Sequence, residues 1–166
     1  LTAWWASQGA PGRFGWNGLA GWLVATGVLG MVVLGASGAI TALGDTLFPV
    51  GSLSEGIRQD FSATAHFLIR LRVFHPVIAV AVGLYLIFLA NWLKERINDS
   101  RAGRLASLLA GLVVAQLLLG VTNLVLLAPV GTQLLHLLMT DLIWICLILF
   151  SALVLTGGQF AGRTPD

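Results

Sequence analysis

Long apolar runs alternate with short polar connections along this chain of 166 residues. A helix needs roughly 20 mainly apolar residues to cross about 30 Å of hydrocarbon. Four runs meet this requirement: residues 19–43, 73–93, 105–127 and 132–156. A backbone that faces lipid must satisfy its own hydrogen bonds, and these runs lack the alternation of barrel strands. The pattern therefore predicts an all-α, polytopic membrane protein built as a four-transmembrane-helix bundle.

The composition agrees with a membrane protein and excludes several other classes. Hydrophobic residues make up 57% of the chain and charged residues 10%, whereas soluble domains carry about 25% charged residues. The net charge is only +2, and the basic residues stand at the ends of apolar runs, so we expect no nucleic acid partner. Cys146 is the single cysteine, which leaves neither a disulfide framework nor a cysteine metal cluster.

The basic residues indicate how the chain crosses the lipid bilayer, because cytoplasmic loops carry an excess of Lys and Arg. In the four-span topology six basic residues share one side and three lie on the other: Arg13, Lys94, Arg96, Arg101, Arg104 and Arg163, against Arg58, Arg70 and Arg72. We therefore expect both termini in the cytoplasm, with the protein in a bacterial or archaeal plasma membrane or an organellar inner membrane.

Three regions are predicted along the chain. Residues 1–18 are the end of a preceding segment and a cytoplasmic linker, 19–156 form the bundle, and 157–166 are a cytoplasmic tail. The connection 44–72 is long enough to hold a short interfacial helix around "DFSATAHFLIRL". The connection "APVGT" is so short that the last two spans should form a tight antiparallel hairpin.

Two histidines lie at matching depth in two of the spans. The second and fourth spans run in the same direction, and both begin at the outer face. His75 stands about two residues into the second, and His136 about four residues into the fourth. Two imidazoles on parallel helices of one bundle can approach a flat macrocycle from opposite faces and ligate a haem iron. Zinc is less favoured, because no carboxylate or thiolate completes a tetrahedral set.

Small residues around His75 leave room for a planar ring. Ala79 and Gly83 follow His75 at four and eight residues, on the same helix face, so a slot below the ligand is expected. The first span adds glycines on one side, which permit the close approach of either a helix or a porphyrin: Gly27, Gly30 and Gly38.

His66 competes with His75 for the role of ligand. It precedes His75 by nine residues, which on a continuous helix would put the two on opposite sides and ~13 Å apart. His66 is therefore expected in the outer loop or interfacial helix, either solvated or facing a haem propionate.

Other polar residues have two interpretations each. Arg70 and Arg72 can pair with haem propionates through a bidentate fork, or anchor the protein to lipid headgroups. Asp141 lies near the bilayer centre, where an ionised carboxylate costs several kcal/mol. We expect it to be neutral and hydrogen-bonded to Gln116, in preference to a role in proton relay.

The order of the motifs resembles the haem A synthase family, and specifically its carboxy-terminal four-helix half. The stretches that carry this resemblance are "GASGAITALGDTLFP", then "RLRVFHPVIAV", and later "QLLHLLMTDLIW". The resemblance runs from about residue 18 to 155 and places His75 and His136 at the ligand positions. Pro76 departs from the family pattern, in which arginine usually follows the first histidine, so the start of that helix is left open.

The resemblance implies an enzyme that oxidises a methyl group of haem O to the formyl group of haem A for terminal oxidases. It implies haem b as the cofactor of this half, with haem O held in an amino-terminal half. Family members have about eight spans, so we expect "LTAWW" to end an earlier helix and the substrate half to lie upstream. Either haem O synthase or a terminal oxidase is an expected partner. The resemblance assigns no catalytic residue.

Two functions from other classes stay open. A bis-histidine b-type membrane cytochrome would only transfer electrons, and a structural membrane subunit would bind no cofactor. The stretch "ALGDTLFP" and the long outer loop favour the synthase, because a simple electron carrier would not need them.

The charge distribution makes a prediction about topology. A reporter fused at Asn98 should report a cytoplasmic location, and one fused near Ser54 should report a location outside the membrane. The opposite pattern would put both histidines at the inner face and contradict the interpretation.

Overall fold

The computed structural model describes residues 18–97 and 99–155. These ranges contain no strand and hold six helices: α1 Gly18–Leu47, α2 Leu53–Asp60, α3 Phe67–Arg72, α4 Phe74–Lys94, α5 Ser100–Val125 and α6 Val130–Leu155. Four stretches are long and apolar enough to cross a membrane, namely α1, α3 with α4, α5 and α6. The predicted all-α, four-span architecture is confirmed. Among the four long helices, the largest difference is at α5, which begins at Ser100 instead of residue 105.

Some predictions fall on residues that the structure does not describe. The preceding segment with "LTAWW", the cytoplasmic linker up to residue 17, the tail 157–166 and the fusion site at Asn98 all lie outside the described residues.

The four long helices close into a bundle of antiparallel neighbours. α1 packs against α4 and α6, and α5 packs against the same two helices. Gly27 allows the close contact of α1 with α4, because a Cβ there would lie 3.2 Å from Leu86 and Leu89. α4 and α6 consequently run in the same direction on opposite sides of the bundle.

The apolar core occupies only one half of the bundle. This packed half contains the beginnings of α1 and α5 and the ends of α4 and α6. Its buried apolar side chains in the four long helices are Ala20, Val24, Met31, Leu86, Leu89, Ala90, Leu93, Ala102, Ala106, Leu109, Val113, Ile143, Cys146, Leu147, Phe150, Ala152, Leu153 and Val154.

The other half, called the open half below, comprises residues 35–47, 74–81, 118–125 and 130–142. In it no apolar side chain is buried. The side chains of this half are therefore packed less tightly than those of the packed half.

The helix that carries His75 begins after a break at Val73. α3 ends at Arg72 and α4 starts at Phe74. Pro76 has no N–H to donate to the carbonyl of Arg72, four residues earlier, so the helical hydrogen-bond ladder is interrupted there. The start of this helix, which the sequence left open, is therefore at Phe74.

The long connection holds two short helices, whereas a single interfacial helix was predicted. Ser52 caps α2 by accepting a hydrogen bond from the backbone N–H of Glu55 at 3.2 Å. His66 caps α3, since its Nδ1 accepts from the N–H of Leu68 at 3.3 Å. The segment 61–66 between the two helices is not helical. Each helix therefore begins at its own capping residue.

Arg72 joins three parts of this loop region. Its side chain is 9% exposed. Nη1 donates to Asp45 at the end of α1 at 3.0 Å, Nε donates to Asp60 at the end of α2, and Nη2 donates to the carbonyl of Gly56 at 3.4 Å. The guanidinium therefore fixes α2 and α3 against the end of α1.

The two short connections are fixed by local hydrogen bonds. Between α5 and α6, Leu127 and Ala128 adopt positive φ values of 58° and 51°, which gives the tight hairpin that was predicted. Before α5, the Asp99 carboxylate accepts from the N–H of Arg101 at 2.7 Å. That bond stabilises the ionised form and holds the pKa of the Asp99 carboxyl below its ordinary value.

The Arg72 cluster leads to a prediction about stability. Replacing Arg72 with Leu leaves two carboxylates without their cation, and removing one partner of a buried pair costs about 3 kcal/mol. Thermal unfolding in detergent should show a clearly lower midpoint for Arg72→Leu. The control Arg70→Leu removes an exposed arginine from the same helix and should change the free energy of unfolding by less than about 0.5 kcal/mol. Equal midpoints for the two variants would contradict the role of Arg72.

Candidate functional site

His75 and His136 both lie in the open half, on the two helices that face each other across the bundle. His75 is the second residue of α4, and His136 is the seventh of α6. Both are about half-buried, and the two imidazoles are close enough to interact electrostatically. The fold thus brings together the two residues that the sequence predicts as a pair.

The ring of His75 rests against α1. A Cβ at Gly38 would lie 3.2 Å from its Cε1, so only glycine lets the ring come this close to the helix. The hydroxyl of the preceding residue, Ser37, lies 3.0 Å from Nδ1 of the ring. That hydroxyl also donates to the carbonyl of Leu34 at 2.8 Å.

The ring of His136 has a comparable position against α5. A Cβ at Gly120 would lie 3.4 Å from its Cε1. Gln116 supports the backbone here, because its Nε2 donates to the carbonyl of His136 at 3.0 Å and to the hydroxyl of Thr140 at 2.6 Å. Nδ1 of His136 is buried without a hydrogen-bond partner among the described residues.

This arrangement suits a flat ligand held by two nitrogens. In the described ranges neither Nε2 has a hydrogen bond, and neither belongs to the buried atoms that lack a partner. Each Nε2 is therefore available to an occupant of the open half. No group of three or more His, Cys, Asp or Glu residues in the described part could hold a metal ion by itself. A ligand that brings its own in-plane donors, such as a porphyrin, fits two axial imidazoles.

Comparison with known families decides the relationship of the chain. Residues 1–148 match the model of the cytochrome oxidase assembly protein family, COX15-CtaA, which comprises the haem A synthases. This chain belongs to the haem A synthase family. The family consists of enzymes of haem A biosynthesis that act in the assembly of cytochrome oxidase, and the resemblance noted in the sequence is confirmed.

Curated relatives of this haem A synthase family member are much longer than the chain. Two of them, from two strains of Thermus thermophilus, carry the name protoheme IX farnesyltransferase, and the chain is 48% and 47% identical to them over 159 residues. The match covers 95% of this chain and 26% of each relative. The chain thus spans about a quarter of their length. No solved structure matches it.

Three residues that were predicted at the cofactor have other partners in the structure. His66 is exposed, caps α3, and stacks obliquely on Phe48 and Phe67 with ring centroids 5.1 and 4.7 Å apart. Arg72 is bound to the two aspartates of the loop region. Gly83 is buried against α5, where a Cβ would lie 3.2 Å from Leu117, so the expected slot below His75 is not open there.

Of the other predicted residues, Ala79 lies in the open half and Arg70 on α3. Ala79 is half-buried one turn beyond His75. Arg70 is exposed and forms no ion pair in the part of the chain that the structure describes.

The expected hydrogen bond between Asp141 and Gln116 is not present. Gln116 donates to Thr140 and to the His136 carbonyl instead. Asp141 is exposed, because it stands five residues beyond His136 and the helix turns it ~140° away from the imidazole. It lies ~17 Å along α6, on a face whose exposed neighbours Leu138 and Ile145 are apolar.

Sequence reasoning missed Ser37 and Gly120. Both lie on helices that carry no histidine, so their nearness to the imidazoles depends on how the helices pack. Gly120 is a glycine in an otherwise apolar run at the depth of His136, and this was the one signal that the sequence offered. Ser37 resembles any hydroxyl in a span, which usually bonds to its own helix.

The two glycines make a prediction about haem binding. Gly38→Ala puts a methyl group into the space of the His75 ring, so the ring must move and haem affinity should fall at least ~10-fold, or ~1.4 kcal/mol. Gly35→Ala is the matched control, since nothing lies within 4 Å of a Cβ there. A haem titration followed by absorption should separate the two variants. Equal loss of affinity in both variants would show that helix α1 as a whole was disturbed, and not the contact between Gly38 and the His75 ring.

Proposed function

We propose that this bundle is the haem b-binding half of a haem A synthase, with His75 and His136 as the axial ligands. One observation carries the proposal. The half of the bundle in which the chain buries no apolar side chain is the half in which α4 and α6 carry His75 and His136. An empty apolar space between helices loses the dispersion contacts that stabilise a bundle, and a planar apolar ring restores them.

The surrounding residues have separate tasks in this proposal. The imidazoles would hold the iron through Nε2, and Gly38 and Gly120 let the Cε1 atom of each ring come close to α1 and α5. The core below them, from Leu86 to Phe150, keeps water out of the closed end of the site. Bound there, haem b supplies an iron that accepts and donates single electrons.

In this proposal Arg70 binds the haem propionates, and Arg72 stabilises the loop region. Arg70 is exposed in the last turn of α3 and has no carboxylate partner in the described ranges. All three nitrogens of Arg72 are hydrogen-bonded within the protein. His66 is exposed at the start of α3 and is accessible to a propionate or to water. Ala79 would line the site one turn below His75.

For the whole protein we propose oxidation of the haem O methyl group to the formyl group of haem A. Family membership supports the reaction class. The relatives' name refers to farnesyl transfer to protohaem IX, a step that yields haem O, so a haem O synthase is the proposed partner that supplies substrate. A terminal oxidase that receives the product is the second proposed partner. The substrate half would lie outside this chain, and both termini of the bundle would face the cytoplasm.

A b-type cytochrome that only transfers electrons is the alternative. It would use the same two histidines, so the site alone does not separate the two functions. Membership of the haem A synthase family favours the enzyme. In the full-length protein, His75→Ala should abolish haem A formation, which a cell's haem extract reports directly. Normal haem A levels in that variant would reject the proposed enzymatic role of this half.

The ligand assignment makes a prediction about the visible spectrum. The protein should bind one b-type haem in a low-spin state, because two imidazoles are strong-field ligands. His75→Ala or His136→Ala leaves the iron five-coordinate or unbound, and the low-spin spectrum should be lost. His66→Ala is the control and should keep it, since His66 caps α3 outside the bundle. Spectra of the three variants at equal haem occupancy measure this.

The same spectra can contradict the assignment. If His75→Ala keeps low-spin haem and His66→Ala loses it, the ligand lies in the loop above the break at Val73. If the unmodified protein shows no sharp α-band after supplementation with haem, the bundle does not bind haem b.

A further inference from the structure

A polar contact of the Ser37 hydroxyl links α1 to α4. Ser37 Oγ lies between Nδ1 of His75, at 3.0 Å, and the carbonyl oxygen of Leu34, at 2.8 Å. A hydroxyl has one proton and two lone pairs. The carbonyl of Leu34 can only accept, so the Ser37 hydroxyl donates its proton there. A lone pair of Oγ is then left for the His75 ring. Nδ1 must then carry the hydrogen of the contact.

The opposite tautomer would leave a donor without an acceptor. If Nε2 carried the hydrogen, it would have no partner among the described residues, and its lone pair would not be available to a metal. With the hydrogen on Nδ1, the Ser37 contact satisfies the donor. The lone pair of Nε2 is then available to a ligand in the open half.

We propose that Ser37 is a positioning residue for His75, whose hydroxyl accepts the Nδ1 hydrogen and thereby presents a basic Nε2 to the haem iron. This inference rests on the proposed haem site. A hydrogen bond from the distal ring nitrogen fixes the orientation of a ligating imidazole and raises its basicity. A more basic ligand favours the ferric state, so Ser37 should lower the reduction potential of the haem.

His136 has no such hydroxyl partner. Gly120 has the position beside His136 that Gly38 has beside His75. The residue before Gly38 is Ser37, whereas the residue before Gly120 is Leu119, which has no hydroxyl. Nδ1 of His136 is accordingly buried without a partner in the described ranges. The two axial ligands are therefore inequivalent, with His75 the more basic and the better oriented.

The test uses haem-loaded protein and three variants. Ser37→Ala removes the acceptor, and Ser37→Thr keeps a hydroxyl at the same place. Thr41→Val is the control, because its hydroxyl lies one turn further along α1 and, among the described residues, bonds to the carbonyl of Ser37 and not to His75. A potentiometric titration gives the midpoint potential of each protein, and electron paramagnetic resonance of the ferric form gives its g-values.

The expected result is a higher midpoint potential and shifted g-values in Ser37→Ala. Ser37→Thr should restore values near those of the unmodified protein, and Thr41→Val should leave them unchanged. Loss of haem from Ser37→Ala with retention in Ser37→Thr would also support the role of the hydroxyl.

Three results would overturn the inference while leaving the haem site intact. They are an unchanged potential in low-spin Ser37→Ala, a lowered potential in that variant, and equal haem loss in Ser37→Ala and Ser37→Thr. Absence of haem from the unmodified protein would instead reject the proposed function itself.

Discussion

The four long helices are held together by apolar packing in one half of their length only. Protein interiors are normally close-packed, and unfilled space forfeits the contacts that hold helices together. Here the large side chains that meet in the bundle, such as Leu86, Leu109 and Phe150, stop at about the middle of the spans. The rest of the structure depends on this limit, because it leaves two parallel helices facing each other across a space that the chain does not fill.

The features around that space are consistent with one another. His75 and Pro76 lie in the first turn of α4, and the hydrogen bonds of Arg72 fix the loop that precedes this helix. Glycines on α1 and α5 bring each imidazole against a neighbouring helix. Membership of the haem A synthase family is shown by the match over residues 1–148. The haem b site, the role as one half of the enzyme and the oxidation of haem O are our proposals on this basis.

The spans and the histidine pair could be predicted from sequence because both depend on local information. Span length follows from the thickness of the hydrocarbon layer, and the depth of His75 and His136 follows from counting residues along each helix. The start of α5 was placed too late, because Ser100 to Arg104 is polar yet helical, with Asp99 as a cap.

The missed or misplaced details depend on contacts between helices. Gly83 was expected below the ligand, but the rotation of α4 turns it towards Leu117. Gln116 and Asp141 lie at similar depth, yet Thr140 is the residue that faces Gln116. Arg72 stabilises the loop because it binds two aspartates that are 27 and 12 residues earlier in the chain. No periodicity in the sequence reports such pairings.

An experimental structure of the protein loaded with haem would test the central claim most directly. The account predicts that the iron lies in the open half, within bonding distance of Nε2 of His75 and Nε2 of His136, with the porphyrin edge towards Arg70. An iron bound by any other side chain, or a porphyrin on the lipid-facing surface of the bundle, would contradict it.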